Sequence, residues 1–212
     1  MAKQSVPYRQ VRAHYDSTTI TVYQAYSKEI ADAAVKHQKL NASSDFSPTR
    51  MTWIKPSWAW MLYRSGYSYK DARQERILAL TLTHSAFLSL LRKAVVANHI
   101  GSETVVDAKE RKADKPKPVR VMVQWDPERS LKIGKLDYRS IQIGIAGALV
   151  DELVEGTVKI EDVTNNAREL KKLLDEHDKV DLATLITEGL VPEEKEFAVD
   201  DEMRKILAMD EV

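Results

Sequence analysis

The sequence predicts an α/β (α+β) single domain, with a mixed, mainly antiparallel central sheet flanked by helices. Three observations carry this prediction. Residues Glu75–Thr83 alternate apolar side chains on both faces, as a strand covered on both sides does. Residues Val119–Trp125 alternate in the same way, and Ser85–Ala97 between them places large apolar residues at helical spacing. Strands therefore alternate with helices along the chain.

The N-terminal region predicts two further strands. Val11–Tyr15 and Ile20–Tyr26 are separated by a polar turn, Asp16-Ser17-Thr18-Thr19. Side chains alternate along a strand, so Arg12 and His14 share one face of the first strand. That polar face is a candidate anion clamp in which His14 moves a proton. The alternative is an edge strand with solvated polar residues.

The remaining elements are predicted from caps, periodicity and breakers. They are a helix from Ser27 to about Leu40, a strand at Arg50–Ile54, a helix at Trp58–Arg64, a turn at Asp126–Arg129, a helix capped by Ser140, a short extended piece at Val158–Ile160 and a helix at Thr164–Glu176. Gly144 and Gly147 in the predicted Ser140 helix imply a close neighbouring backbone. We expect one α/β domain over residues 1–180, a flexible Lys-rich loop near 99–118 and an acidic, weakly helical tail over 181–212.

The composition excludes several classes of protein. Among 212 residues, 43% are hydrophobic and 30% are charged, which is typical of a globular protein and not of a disordered chain. The absence of cysteine excludes disulfides, thiolate metal sites and cysteine nucleophiles. The sequence shows no signal peptide and no apolar run of membrane-spanning length, so we expect a cytoplasmic protein without a membrane partner.

Charge is distributed unevenly along the chain. Residues 1–139 hold 24 lysines and arginines against 13 acidic residues, whereas residues 140–212 hold 8 against 19. Such asymmetry suggests an anionic ligand, a nucleotide, RNA or DNA, for the basic part. The alternative is that the acidic part packs beside the basic part and neutralises it.

The densest chemical signal is the aromatic and basic segment Arg50–Tyr69. It holds six of the chain's fifteen aromatic residues, with Lys55 and Arg64 among them. Aromatic faces stack on bases while lysine and arginine contact phosphate, so Trp53, Lys55 and Arg64 are candidate ligand-binding residues, with Tyr23 as a second stacking candidate. The alternative is a helix core, and we expect Trp58 to be buried with Met61 and Leu62 in either case.

Two other groups complete the candidate site. Arg139, Ser140 and Gln142 would form an anion site at a helix N-terminus, and we expect Arg139 to share a pocket with Arg64. The alternative is an ordinary helix cap at Ser140 beside an exposed arginine. Glu75 stands at the start of a strand, where a carboxylate can act as a general base or hold a ribose hydroxyl. The five histidines lack ligand spacing, so no metal site is expected, and no Gly-rich nucleotide fingerprint is present.

Four motifs in order resemble a known family. They are Val22-Tyr23-Gln24-Ala25-Tyr26, Met51-Thr52-Trp53-Ile54-Lys55-Pro56-Ser57, Arg64-Ser65-Gly66-Tyr67 and Arg139-Ser140-Ile141-Gln142. Over about residues 8–180 the chain resembles the family catalogued as domain of unknown function 4291. A weaker similarity to the ADP-ribosyltransferase-like fold implies an NAD-using enzyme or a transferase acting on RNA phosphates, with NAD as the cofactor.

The leading hypothesis is an enzyme that acts on a nucleotide or nucleic-acid phosphate and is similar to ADP-ribosyltransferases. In it Arg12, Arg64 and Arg139 bind phosphates, and His14 or Glu75 performs proton or ribose chemistry. A nucleic-acid-binding module without catalysis, and a protein-interaction protein that uses the acidic C-terminal region, remain open alternatives. A deep pocket distinguishes the enzyme from the open groove of a binding module.

Overall fold

The computed structural model describes residues 6–97, 119–177 and 179–210. The predicted Lys-rich loop at 99–118 lies outside the described residues. The helices are α1 (Lys28–His37), α2 (Trp58–Ser65), α3 (His84–Arg92), α4 (Val150–Gly156), α5 (Thr164–Glu176), α6 (Leu182–Thr187) and α7 (Asp201–Ile206). The strands are β1 (Arg12–Ala13), β2 (Thr19–Tyr26), β3 (Thr52–Ile54), β4 (Arg76–Thr83), β5 (Ala94–Val96), β6 (Val121–Arg129), β7 (Lys135–Ile145), β8 (Thr157–Asp162) and β9 (Lys195–Glu196).

The strands form two main sheets that meet at one point. One sheet has the order β2-β4-β8 and the other the order β3-β7-β6-β5, and β1 pairs separately with β9. All pairs are antiparallel except β5 with β6. Tyr23 of β2 and Lys55 after β3 exchange two backbone hydrogen bonds of 2.7 and 3.0 Å, which connect the sheets. The predicted α+β single domain with a mixed, mainly antiparallel sheet is confirmed.

Strand β4 is covered on both faces, as its sequence predicts. Leu78, Leu80 and Leu82 pack into the larger core cluster, which contains α1, α3 and the inner face of the four-stranded sheet. Ile77 and Ala79 pack into a second cluster under α2, α5 and α6. Because neither face meets water, the strand holds apolar residues in every position from 77 to 80.

Helix α2 is fixed at both ends by local signals. The Ser57 hydroxyl accepts a hydrogen bond from the Trp60 backbone N–H at its start. Gly66 at its end adopts φ 57°, the left-handed conformation that terminates many helices. Trp58 is buried with Met61 and Leu62, which confirms that part of the sequence prediction.

Two predictions in the second half of the chain are wrong. Ser140 does not cap a helix, because residues 135–145 form β7. Ile141, Ile143 and Ile145 recur with the period of two of a strand and line the larger core cluster, while β-branched side chains and Gly144 disfavour a helix. The predicted turn at Asp126–Arg129 also belongs to a strand, β6, with a register shift after Pro127.

The acidic segment after Asp181 is packed into the body of the protein. Leu185, Phe197, Met203 and Leu207 are buried, and β9 pairs with β1. Ion pairs with the basic part are sparse: Arg92 lies 3.7 Å from Asp200, with both side chains exposed. No helix within 6–97, 119–177 and 179–210 is both long and apolar enough to span a membrane.

Candidate functional site

A cavity of about 280 Å³ lies where the two sheets meet beside α2. We name it the Lys55 cavity. Its lining residues come from β2, β3, β7, α2 and the adjoining loops, and they are Gln24, Ala25, Met51, Trp53, Lys55, Met61, Arg64, Gln74 and Gln142. Two of these side chains are cationic, three are amides and none is a carboxylate. The lining therefore offers hydrogen-bond donors and basic groups.

Strand register places the lining side chains. Thr52 and Ile54 of β3 are buried toward the core, so Trp53 and Lys55 project from the opposite face. Trp53 pairs with Gly144 of β7. A Cβ atom at residue 144 would lie 2.8 Å from two atoms of the Trp53 ring, so this ring lies flat only because residue 144 is glycine.

Lys55 is a buried cation with three kinds of partner. Only 4% of it is exposed. Its ammonium group donates to Gln142 Oε1, lies 3.1 Å from the centroid of the Trp60 ring and stands 3.8 Å from Asp126 Oδ2. Burial is the main cause that lowers the pKa of Lys55 well below its ordinary value, and Arg64 lowers it further, while the charge of Asp126 opposes the shift.

A depressed pKa gives Lys55 two chemical uses. A neutral amine can accept a proton or act as a nucleophile, and it becomes an ammonium ion when an anion enters the cavity. Arg64 supplies the second cation from the last turn of α2, and its side chain is exposed. Within the described residues its guanidinium group has no hydrogen-bond or ion-pair partner, and buried Gln24 Oε1 has no hydrogen-bond partner. Both groups are available to a ligand.

Two carboxyl groups lie at the start of α2: the Glu128 side chain is buried and the Glu194 side chain is partly buried. Glu128 of β6 accepts hydrogen bonds from the Ser57 hydroxyl at 2.9 Å and from the Arg129 backbone N–H at 2.8 Å. Glu194, just before β9, accepts from the Trp58 backbone N–H at 2.6 Å. Arg12 donates to the Glu194 carbonyl oxygen at 2.9 Å. We name Arg12, Ser57, Glu128, Ser140 and Glu194 the carboxyl cluster.

Burial changes the protonation of this cluster. It raises the pKa of Glu194 to about 8, and the charge of Glu128 adds to the shift, while the Trp58 N–H and Arg12 oppose it. Burial also raises the pKa of Glu128, against hydrogen bonds that include one from Ser140. At neutral pH the cluster therefore holds a proton that an exposed glutamate pair would have lost. Groups with shifted pKa values often mark functional sites.

A second cavity, of about 610 Å³, is also lined by a residue of α2, and we name it the Tyr23 cavity. His14, Tyr23 and Trp58 are among its lining residues. It is closed by the segment 189–193, and His14 Nδ1 lies 3.1 Å from the carbonyl oxygen of Glu193. The candidate stacking residue Tyr23 is only 4% exposed, with its ring 5.1 Å from that of Trp58.

The ten residues proposed from the sequence fall into four places. Trp53, Lys55, Arg64 and Gln142 line the Lys55 cavity; Arg12 and Ser140 belong to the carboxyl cluster; His14 and Tyr23 line the Tyr23 cavity; Glu75 and Arg139 lie outside all three. The Lys28 backbone N–H at the start of α1 donates to the Glu75 carboxylate at 3.3 Å.

Arg139 does not lie where the sequence placed it. Its Nε donates to the Tyr8 hydroxyl at 2.8 Å, and its backbone N–H donates to the Tyr8 carbonyl at 2.7 Å. Residues 139 and 142 point to opposite faces of β7, so Arg139 does not line the Lys55 cavity and the expected pocket shared with Arg64 is wrong. Ser140 likewise acts from a strand and not from a helix N-terminus.

Sequence reasoning missed the carboxyl groups and Asp126. Asp126 and Glu128 continue the alternation of β6, a signal that Pro127 obscured because proline is rare in a paired strand. Glu194 stands in a run of acidic residues that resembles a solvated tail. Its burial depends on the pairing of β9 with β1, which joins residues more than 180 positions apart.

Comparison with known proteins places the chain in a family. No curated protein matches it. The family described as "domain of unknown function (DUF4291)" matches residues 10–197. The match reaches past the end expected near residue 180 and takes in Glu194 and β9. The chain therefore belongs to the family of domains of unknown function DUF4291.

Proposed function

We propose that this protein is an enzyme that acts on a nucleotide or nucleic-acid phosphate bound in the Lys55 cavity. One observation carries the proposal: the cavity is lined by two cations and three amides without a carboxylate. A phosphate matches this set, because its oxygens accept hydrogen bonds from cations and amides and its charge offsets both cations. A carboxylate lining would repel it.

Each lining residue has a role in the proposal. Lys55 and Arg64 contact phosphate oxygens, and Gln142 and Gln24 add amide hydrogen bonds. Trp53 stacks on the base or another planar ring. The volume of about 280 Å³ is near the lower end for small-molecule sites, which suits a phosphate with its sugar while the base lies at the mouth.

Lys55 is the group we place at a proton-transfer step. It lines the cavity, and burial lowers the pKa of Lys55, which favours the neutral amine that can accept a proton. His14 and Glu75 do not line this cavity, so neither takes that role here. The carboxyl cluster acts as support, because Glu128 holds Ser57 and Glu194 holds the first N–H group of α2. More specifically, we propose that the enzyme is a transferase that uses NAD.

Calorimetric titration tests the binding step. We expect AMP, NAD or a short RNA to bind, and Lys55→Gln and Arg64→Gln each to weaken binding by about tenfold or more, the usual loss for a charged hydrogen bond. Arg73→Gln is the matched control, because its side chain is 89% exposed beside Asp71 and lines neither cavity. No binding at low salt, or equal binding by all three variants, refutes the proposal.

Product analysis tests the catalytic step. The protein is incubated with each ligand that binds, and the products are separated by chromatography and identified by mass spectrometry. We expect turnover that Lys55→Gln abolishes. Binding that depends on Lys55 and Arg64 but gives no product with any ligand supports the non-catalytic nucleic-acid-binding module instead.

A further inference from the structure

We propose that the Tyr23 cavity binds a compact organic cation with an apolar body, such as an alkyl- or arylammonium ion. The proposal does not depend on the function of the Lys55 cavity, because different side chains carry it. It rests on the apolar floor of the cavity, the charge of its rim and its volume.

The floor of the cavity is aromatic and aliphatic. Tyr23 and Trp58 are 4% and 2% exposed, and their rings lie 5.1 Å apart with an interplanar angle of 52°. Ala79, Leu190 and Val191 complete this apolar surface and are also buried. Aromatic faces attract cations, and the attraction strengthens where water is excluded. The floor therefore favours a ligand that combines positive charge with apolar surface.

The rim of the cavity carries an excess of negative charge. Its charged side chains are Asp16, Lys159, Glu161 and Glu193, with His14 as the remaining titratable group besides the tyrosines. Lys159 and Glu161 pair at 2.9 Å and offset each other. Two carboxylates, those of Asp16 and Glu193, have no lysine or arginine partner within the described part of the chain. The rim therefore attracts cations and repels phosphates.

Asp16 is held in its ionised form. Its Oδ1 accepts hydrogen bonds of 2.7 Å from the backbone N–H groups of Thr18 and Thr19. These hydrogen bonds hold the pKa of Asp16 well below its usual range. Asp16 is therefore ionised at neutral pH without a ligand.

The size of the cavity suits a ring-bearing molecule. A volume of about 610 Å³ falls within the range of small-molecule sites. Thr21 and Thr81 add hydroxyl groups to the wall formed by β2 and β4, which a polar substituent on the ligand can reach.

Binding of benzyltrimethylammonium tests the proposal. Saturation-transfer NMR and tryptophan fluorescence are recorded at pH 8, where imidazole groups are mostly neutral. Benzyl alcohol and benzoate provide neutral and anionic probes of similar shape. We expect the cation to bind about tenfold more tightly than the alcohol and benzoate to bind least. Equal binding of the cation and the alcohol overturns the proposal.

Surface variants locate the binding. Glu193→Gln should weaken binding of the cation a few-fold, because it removes a negative charge from the rim, and Glu193→Lys by about tenfold, because it replaces that charge with a positive one. Both variants keep the backbone carbonyl oxygen near His14. Glu188→Gln is the matched control, since Glu188 is an exposed acid on the same segment that does not line the cavity. Unchanged affinity in Glu193→Lys, or an equal loss in Glu188→Gln, shows that the cation binds elsewhere and overturns the proposal.

Discussion

The Lys55 cavity and the Tyr23 cavity share β2 and α2 but have opposite charge. Gln24 of β2 lines the first, while Thr21 and Tyr23 line the second. Helix α2 presents Arg64 to the first and Trp58 to the second. Side chains of one strand and one helix line two cavities of different character, because alternation along the strand and rotation around the helix direct successive side chains to different places. The Lys55 cavity, which is cationic, has polar walls, whereas buried core residues form the floor of the Tyr23 cavity, which is acidic.

The largest expected difference between the cavities is in stability. Trp58→Ala should lower the free energy of unfolding by about 3–5 kcal/mol, the usual cost of removing a buried large aromatic side chain. Trp53→Ala should cost clearly less, because Trp53 is only partly buried. Urea unfolding of both variants measures the difference. Equal losses of unfolding free energy in the two variants would mean that core residues form the floor of both cavities.

The carboxyl cluster should make the protein less stable as the pH rises. Burial raises the pKa of Glu194 from 4.5 to about 8 in the folded protein. Between these values the unfolded chain releases the proton that the folded protein keeps, so the free energy of unfolding falls as the pH rises. At about 1.4 kcal/mol per pKa unit the fall amounts to a few kcal/mol.

Replacing this carboxyl group isolates its contribution. Glu194→Gln should flatten the pH dependence between pH 4.5 and 8 and should be most favourable, relative to the wild type, at the alkaline end. Glu193→Gln serves as the control, because Glu193 is exposed. Unfolding midpoints in urea at several pH values give the comparison. A wild-type protein whose stability rises across this range would contradict the assignment.

Lys55 should contribute a pH dependence of opposite sign. Its pKa is lowered in the folded protein, so below the ordinary lysine value the unfolded chain binds a proton that the folded protein does not. This contribution to stability is complete at high pH and is lost as the pH falls. Lys55→Met should reduce the rise in stability with pH that occurs below the ordinary lysine pKa of about 10.5.

The control for this measurement is Lys70→Met, since Lys70 is exposed. Unfolding of the three proteins at alkaline pH would show a reduced slope in Lys55→Met alone. Identical slopes in the wild type and in Lys55→Met would mean that the lysine is fully hydrated, and the Lys55 cavity would lose its main electrostatic feature.

The smallest expected effect comes from Gly144→Ala. The added methyl group would lie 2.8 Å from the Trp53 ring and must displace it, while the backbone needs no change. We expect nucleotide affinity to fall by about 1 kcal/mol, roughly fivefold, through weaker stacking, with a smaller change in stability. Gly134→Ala in the turn before β7 is the control. An unchanged affinity would remove Trp53 from the proposed site.

How much the sequence could predict depended on whether the deciding contact was local. The apolar alternation of Leu78, Leu80 and Leu82 was enough to predict β4 and its two-sided burial. Trp53, Lys55 and Arg64 of the aromatic and basic segment line one cavity, because they lie on a strand and a helix that are adjacent in the chain. The site function drawn from them stays a prediction.

Non-local contacts caused the errors. A serine before an apolar run indicates a helix cap, but the pairing of β7 with both β3 and β6 decided its conformation. The local sequence predicts a solvated Glu194, because it does not show that Trp58 and Arg12, which are distant in sequence, contact this residue. Propensity is a weak signal wherever tertiary packing competes with it.

The pairing of β1 with β9 has a consequence for the order of events during synthesis. Arg12 and Ala13 lie opposite Glu196 and Lys195, so β1 cannot pair with β9 until more than 180 further residues have been synthesised. The wall of the Tyr23 cavity at 189–193 emerges equally late. Contacts of such long sequence separation form slowly, and until they form the apolar floor is open to solvent and to other chains. We therefore expect the nascent chain to be most prone to aggregation before the segment 189–196 has been synthesised.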